Sequence, residues 1–104
     1  IAPTWDVLKR QVPCGINFCA SGMPYWSSDI GGWMPMKDHY AGFPYYFEDY
    51  IELYIRWFQY GAFCPPSALT APDENEVWSY GETLYEMCRS TCSCASACAR
   101  TSPA

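Results

Sequence analysis

The chain has 104 residues, the size of one ordinary domain, and is 50% hydrophobic, 18% aromatic and 16% charged. That apolar content excludes a disordered tail, and the mixed pattern excludes a coiled coil or a collagen-like chain. Eleven acidic against six basic side chains give a net charge of −5, which argues against a nucleic-acid partner, because phosphate backbones are held by clustered Lys and Arg.

The chain opens on Ile1 and shows no basic-then-apolar leader, as expected of a processed chain or a piece of a longer one. Pro3 and Thr4 read as a helix start, with Asp6 in the first turn and Lys9 and Arg10 in the last. Trp5, Leu8 and Val12 fall on one face of that helix. Over residues 13–20 two readings fit: Ile16 and Phe18 alternate as in a strand, and the segment also continues as a second helical piece. Residues 11–28 are the longest uncharged run, but Asn, Pro, Gly and Ser within it make a poor membrane span. Residues 24–28 read as a short buried strand that ends at Asp29 and the Gly31-Gly32 loop. A polar loop with Pro35, Lys37, Asp38 and the lone His39 follows, and His39 reads as a surface histidine.

Residues 47–60 carry the clearest helical pattern. Tyr50, Tyr54, Trp57 and Phe58 recur at helical spacing, with Glu48, Glu52, Arg56 and Gln59 between them. Arg56 reads as solvated or ion-paired. Gly61 stops the helix, and residues 62–64 read as a second short strand. Pro65 and Pro66 open an irregular stretch whose acidic run, Asp73-Glu74-Asn75-Glu76, reads as a solvated loop. Ser79, with Glu82 three residues on, predicts the cap of a further helix over residues 79–87. Helix, strand, helix, strand, helix is an α/β order. Two strands are too few for a parallel sheet covered on both faces. Trp26, Trp33, Trp57, Trp78 and nine tyrosines also exceed what so small a core hides. Both observations point to part of a larger fold.

Seven cysteines do not make a complete disulfide framework. Cys14, Cys19 and Cys64 lie scattered among apolar residues. Cys88, Cys92, Cys94 and Cys98 follow the spacing C-x3-C-x-C-x3-C. Zinc ligand pairs are usually separated by a long loop, and here one residue separates them, so no metal or other cofactor is expected. No Ser-His-Asp order, phosphate loop or H-E-x-x-H motif is present.

The segment over residues 25–33 carries the chemistry. A carboxylate at the end of a strand, Asp29, is followed by Gly31-Gly32 and the aromatic Trp33, with Trp26 just before it. Such a carboxylate accepts hydrogen bonds from sugar hydroxyls, the glycines let the backbone approach, and an indole stacks on a pyranose face. The plain alternative is that Asp29 caps a turn while Trp26 and Trp33 are core.

Several runs in order, namely Thr4-Trp5-Asp6-Val7-Leu8, Asn17-Phe18-Cys19-Ala20-Ser21-Gly22, Pro24-Tyr25-Trp26-Ser27-Ser28-Asp29-Ile30-Gly31-Gly32, Arg56-Trp57-Phe58-Gln59-Tyr60-Gly61-Ala62-Phe63-Cys64-Pro65 and Asn75-Glu76-Val77-Trp78-Ser79-Tyr80-Gly81, resemble glycoside hydrolase family 31, the α-glucosidase and α-xylosidase family. The similarity is strongest to its bacterial α-xylosidase-like branch. The resemblance implies a partial (β/α)8 TIM barrel, its last strands and helices only, mostly helical with short strands. It implies a retaining hydrolase acting on α-linked oligosaccharides or glycosides, in which one carboxylate attacks the anomeric carbon and another protonates the leaving oxygen. By the family pattern no catalytic residue lies in the chain: the nucleophile falls well upstream, and the acid/base Asp falls immediately before Ile1. Asp29 matches a carboxylate that contacts the sugar at the cleaved position, and Trp33 matches a Phe lining that pocket. An isolated chain of this kind is expected to be inactive.

Two departures accompany the match. Where the family places an Arg and a sugar-reading His, this chain has Ala68 and Thr70, followed by Ala71, and a short excursion of the reading frame over residues 66–71 is the expected source. After Met87 the family has a helix rich in Leu, Arg and Tyr. Residues 87–104, back-translated with one permitted set of codons and read from the third base, yield that helix. The expected division is therefore 1–87 as family 31 catalytic domain and 88–104 as a Cys-rich tail from a shifted frame. Two other classes fit parts of the sequence: a non-catalytic carbohydrate-binding module, supported by the aromatics, and a small Cys-rich metal-binding protein, resting on the tail alone.

Overall fold

The computed structural model describes residues 3–32, 47–64 and 76–101. Three helices order these residues: α1 (Trp5–Ala20), α2 (Phe47–Gly61) and α3 (Glu82–Thr101), with a 3-10 turn at Val77–Tyr80 leading into α3. Helix α2 packs against both others, and the 3-10 turn packs along α3.

Helix α1 starts where the sequence predicts. Thr4 is extended, at φ −126° and ψ 154°, and its Oγ1 accepts from the Val7 amide at 3.3 Å, satisfying one of the helix's orphan donors. The helix does not end near Arg10. It runs on through Pro13 to Ala20, so residues 13–20 take the helical of the two readings. Proline removes only one intrahelical donor and crowds the preceding turn. The turn beyond it is seated by tertiary contacts at Gly15, where a Cβ would come within 2.7 Å of Trp26 Nε1 and 2.8 Å of Tyr60 Oη. Ser21 closes the helix with its amide and its Oγ both donating to the Asn17 carbonyl, and Gly22, at φ 95°, turns the chain away. Of the predicted apolar face, Leu8 is buried and Trp5 half-buried, whereas Val12 is exposed.

Helix α2 matches its expected span and supplies most of the core: Tyr50, Leu53, Tyr54, Ile55, Trp57 and Phe58 are buried, joined by Leu8, Ile30, Tyr80, Leu84 and Cys88. At 100° per residue these positions cover more than half of the helix circumference. The remaining stripe carries Glu52 and Arg56, an ion pair at 3.8 Å in the favourable i,i+4 order, with Arg56 also donating to Gln59 Oε1 at 3.2 Å. Tyr50, Tyr54 and Tyr80 form a three-ring cluster with centroids 5.3–6.3 Å apart and tilted or edge-on geometry.

The two expected strands are absent among the described residues, and so the α/β alternation is not seen there. Residues 23–29 carry no regular secondary structure. A strand exists only through ladder bonds to a neighbour, and no described segment lies alongside as a ladder partner. At residues 62–64 the amides are taken by α2 itself: Ala62 donates to Phe58 O at 2.8 Å, Phe63 to Tyr60 O at 3.2 Å and Cys64 to Gly61 O at 3.0 Å. The helix thus tightens at its end instead of releasing an extended chain.

The start of α3 also shifts. Ser79 lies inside the 3-10 turn, its amide donating to Glu76 O at 2.8 Å, and does not cap the helix. Gly81, at φ 104°, interrupts the helical path. It then supplies the first helical carbonyl, which accepts from Tyr85 at 3.2 Å.

Candidate functional site

Asp29 sits on a reverse turn laid across α2. The Gly32 amide donates to the Asp29 carbonyl at 2.9 Å, which closes the turn over residues 29–32. The third turn residue, Gly31, has φ 78°, and Gly32 has φ 84°. A positive φ at that third position selects glycine. Gly31 is further restricted by space, because a Cβ there would meet Tyr54 Cδ2 at 2.6 Å and Tyr50 Oη at 3.0 Å. The sequence reading gave these glycines the task of admitting a ligand. In the fold, the closest approach at Gly31 is that of α2's own tyrosines.

Both flanks of the turn are tied to α2. On one side Ser28, a buried polar residue, accepts a 2.7 Å hydrogen bond from Trp57 Nε1. On the other, Tyr50 Oη donates to the Gly31 carbonyl at 3.2 Å. Ile30, between them, is buried in the core. Asp29 itself is half-buried. Burial pushes the Tyr50 and Tyr54 phenols well above the ordinary tyrosine value. For Tyr50 the neighbouring Tyr80 adds to the rise, and for Tyr54 the thiol of Cys88 does. Both rings therefore stay protonated and neutral around the turn.

Trp26 is held elsewhere. Its Nε1 donates to Tyr60 Oη at 3.1 Å, and Tyr60 donates in turn to the Gln11 carbonyl at 3.3 Å, tying α2 to α1. Its ring lies 5.4 Å from that of Phe18. Burial, with a hydrogen bond to Cys64, pushes the Tyr60 phenol up to about 12. Tyr60 lies six residues beyond Tyr54, roughly 9 Å along a helix axis at 1.5 Å per residue. Trp26 therefore does not share the Asp29 turn. It walls an apolar cleft of about 350 Å³ with Gly15, Ile16, Cys19, Pro24 and Tyr60. Trp33, the third expected site residue, lies outside the described residues, as do His39, Ala68, Thr70 and Ala71.

Sequence reasoning missed Ser28, Tyr50 and Trp57 as the residues that hold the turn. The available signal was chemical. A phenol and an indole on the buried face of one helix each carry a polar hydrogen that needs a partner, and Ser28 with the glycine pair were the nearby candidates. The four clustered cysteines fall on α3 as two i,i+4 pairs, on stripes about 120° apart at 100° per residue. Among the described residues no group of three or more His, Cys, Asp or Glu side chains could hold a metal ion. No described helix is long and apolar enough to cross a membrane.

The chain belongs to glycoside hydrolase family 31: the family model described as "Glycosyl hydrolases family 31 TIM-barrel domain" matches residues 1–94. It is 43% identical over 61 residues to an alpha-xylosidase of Saccharolobus solfataricus, covering 59% of this chain and 7% of that protein. Alpha-xylosidase A of Aspergillus niger is 32% identical over 89 residues, covering 74% of this chain and 12% of that protein. Neutral alpha-glucosidase C of Mus musculus is 26% identical over 88 residues, covering 82% of this chain and 8% of that protein. The chain thus spans about a tenth of the length of these relatives. No solved structure matches it.

Proposed function

We propose that this chain is the sugar-contacting part of a family 31 α-glycosidase, the last third of a (β/α)8 barrel, acting on α-linked xylosides or glucosides. Asp29 is its sugar-binding carboxylate, Trp33 lines the same pocket, and Trp26 contributes from the neighbouring cleft. The observation that supports the reading is that Asp29, within the family-matched residues 1–94, sits on a turn held at both flanks by α2. Barrel enzymes place their working groups on such loops at one end of the barrel. A carboxylate fixed there accepts hydroxyl hydrogen bonds without first being ordered.

In this reading the two carboxylates of the retaining mechanism are supplied from outside residues 1–104, and the chain alone gives only the uncatalysed rate with α-xylosides and α-glucosides. The positive test is a hybrid. Residues 3–64 replace the matching segment of the Saccharolobus solfataricus alpha-xylosidase, and kcat/KM is measured with and without Asp29→Asn. A loss of at least about 100-fold is expected, the scale of a polar contact made in the transition state. An unchanged kcat/KM in the Asn hybrid would overturn the assignment.

The tail is proposed to come from a shifted frame over residues 88–104. Its support is that nothing over residues 89–101 is buried; Cys88 at its start sits in the core, and the family match runs to residue 94. Resequencing genomic DNA from the codon for Trp78 onward tests this. One base added or missing near Met87 is expected, and an intact frame through Ala104 with zinc bound stoichiometrically by the four cysteines would overturn it.

A further inference from the structure

We infer that Tyr50 and Trp57 of α2 are positioning residues for Asp29, fixing its carboxylate through the backbone on either side of it. The inference rests on the proposed sugar-binding role of Asp29 and assigns the groups that place it. Three hydrogen bonds define the arrangement: Trp57 Nε1 to Ser28 Oγ at 2.7 Å, Tyr50 Oη to Gly31 O at 3.2 Å, and Gly32 N to Asp29 O at 2.9 Å. The first two come from the rigid interior, since Tyr50 and Trp57 are both completely buried. They grip the residue immediately before Asp29 and the residue two after it. The third closes the turn between those grips.

The spacing on α2 gives the arrangement its logic. Tyr50 and Trp57 are seven residues apart, two helical turns on one face, about 10 Å at 1.5 Å per residue. The Tyr54 ring lies between them and fills the space a Gly31 side chain would need. The turn is therefore clamped at two points with a steric stop in the middle. Tyr50 also packs edge-on against Tyr80, with ring centroids 5.6 Å apart, so its ring is held by the 3-10 turn as well as by α2. A carboxylate on such a mount keeps its place when a ligand arrives, and binding does not have to order it.

The test uses the full chain labelled for NMR. Amide hydrogen exchange at Gly32 is compared with that of Leu53, a completely buried α2 residue, together with the 13C resonance of the Asp29 carboxyl. Ser28→Ala and Tyr50→Phe each delete one hydroxyl and leave the apolar packing in place. Gly32 exchange is expected to rise about tenfold relative to Leu53, the scale of one lost hydrogen bond to a buried group, and the carboxyl line to shift or broaden. Ser28→Thr, which restores the acceptor, is expected to return both signals towards wild type. Equal acceleration at Gly32 and Leu53, or none at either, would overturn the positioning role. A Gly32 response as expected, beside a hybrid enzyme indifferent to Asp29→Asn, would instead remove the sugar-binding reading and leave the positioning intact.

Discussion

Helix α2 buries Tyr50, Leu53, Tyr54, Ile55, Trp57 and Phe58, whereas α3 buries nothing after Cys88. Over residues 89–101 helical order is maintained locally. Thr91 Oγ1 donates to Met87 O at 2.9 Å, Ser93 Oγ to Arg89 O at 3.2 Å and Thr101 Oγ1 to Ala97 O at 3.2 Å, the back-bonding habit of helical Ser and Thr. An exposed ion pair, Arg89 with Glu86 at 3.5 Å, adds little, and Ala and Arg bring good intrinsic propensity. Between this tail and the end of α2 lies a gap of about 350 Å³ lined by Phe63, Cys64, Ala95 and Cys98. Helix α2 is specified by what it packs against, residues 89–101 of α3 by their own composition. A helix alone therefore says nothing about whether its sequence was shaped by the fold.

The sharpest way to break this contrast is to cut into α2. Trp57→Ala removes a completely buried indole and strands Ser28 without its donor. A loss of about 3–5 kcal/mol is expected, enough to abolish the cooperative urea transition. A normal transition would show that α2 is not the centre of the core.

Alkaline pH is the next strongest probe. Cys88 is pushed up from 9.0 to about 11 by burial and the neighbouring Cys92, and Tyr50 and Tyr54 titrate above the ordinary 10.0. Well below pH 9 folded and unfolded chains hold the same protons at these groups, and stability is full. Above it the unfolded chain releases protons that the fold retains, so stability falls as pH rises. Melting temperatures should drop between pH 9 and 11, and a flat profile would contradict the burial of these groups.

Gly15→Ala sets propensity against packing. Alanine gains up to about 1 kcal/mol in a helix interior, but its Cβ would meet Trp26 and Tyr60 below 3.0 Å, a kind of overpacking that costs about 1–3 kcal/mol. Net destabilisation in a chemical melt is expected. Stabilisation would mean that α1 and α2 are not locked at this point.

The smallest effects belong to the tail. Deleting residues 90–104 should shift stability by less than about 1 kcal/mol, the range of surface changes. In the intact chain Cys92, Cys94 and Cys98, all exposed, should react with a thiol reagent at the rate of a small-molecule thiol. Cys88, 2% exposed, should react only on unfolding. Protection of all four would reveal a buried face that the tail does not otherwise show.

Where the sequence pattern was strong, the fold was legible. The Tyr50, Tyr54, Trp57 and Phe58 periodicity located α2, and Thr4 located the start of α1. Residues 13–20 left two readings open because proline signals a boundary, and the contact that carries α1 through it, Gly15 against Trp26 and Tyr60, joins residues up to 45 apart in sequence. The strand readings failed because β-structure needs a partner that local sequence does not contain. At the site, Asp29 and its glycine turn were legible as a motif. The hydrogen bonds that mount the turn, from Trp57 to Ser28 and from Tyr50 to Gly31, join residues 29 and 19 apart, beyond the reach of any local pattern.

The bond between Trp57 and Ser28 also gives the molecule an optical property. Trp57 is completely buried among aromatic and aliphatic side chains, whereas Trp78 is 67% exposed. Shielded indoles emit at shorter wavelength and escape aqueous quenchers, and solvated ones do neither. Iodide should therefore strip the long-wavelength emission of Trp78 first and leave that of Trp57. Half-buried Trp5 and Trp26 share the residual blue band, so the part of it that Trp57→Phe removes is what reports on the mount beneath Asp29, and the red shift of that part during unfolding marks the moment when the mount lets go.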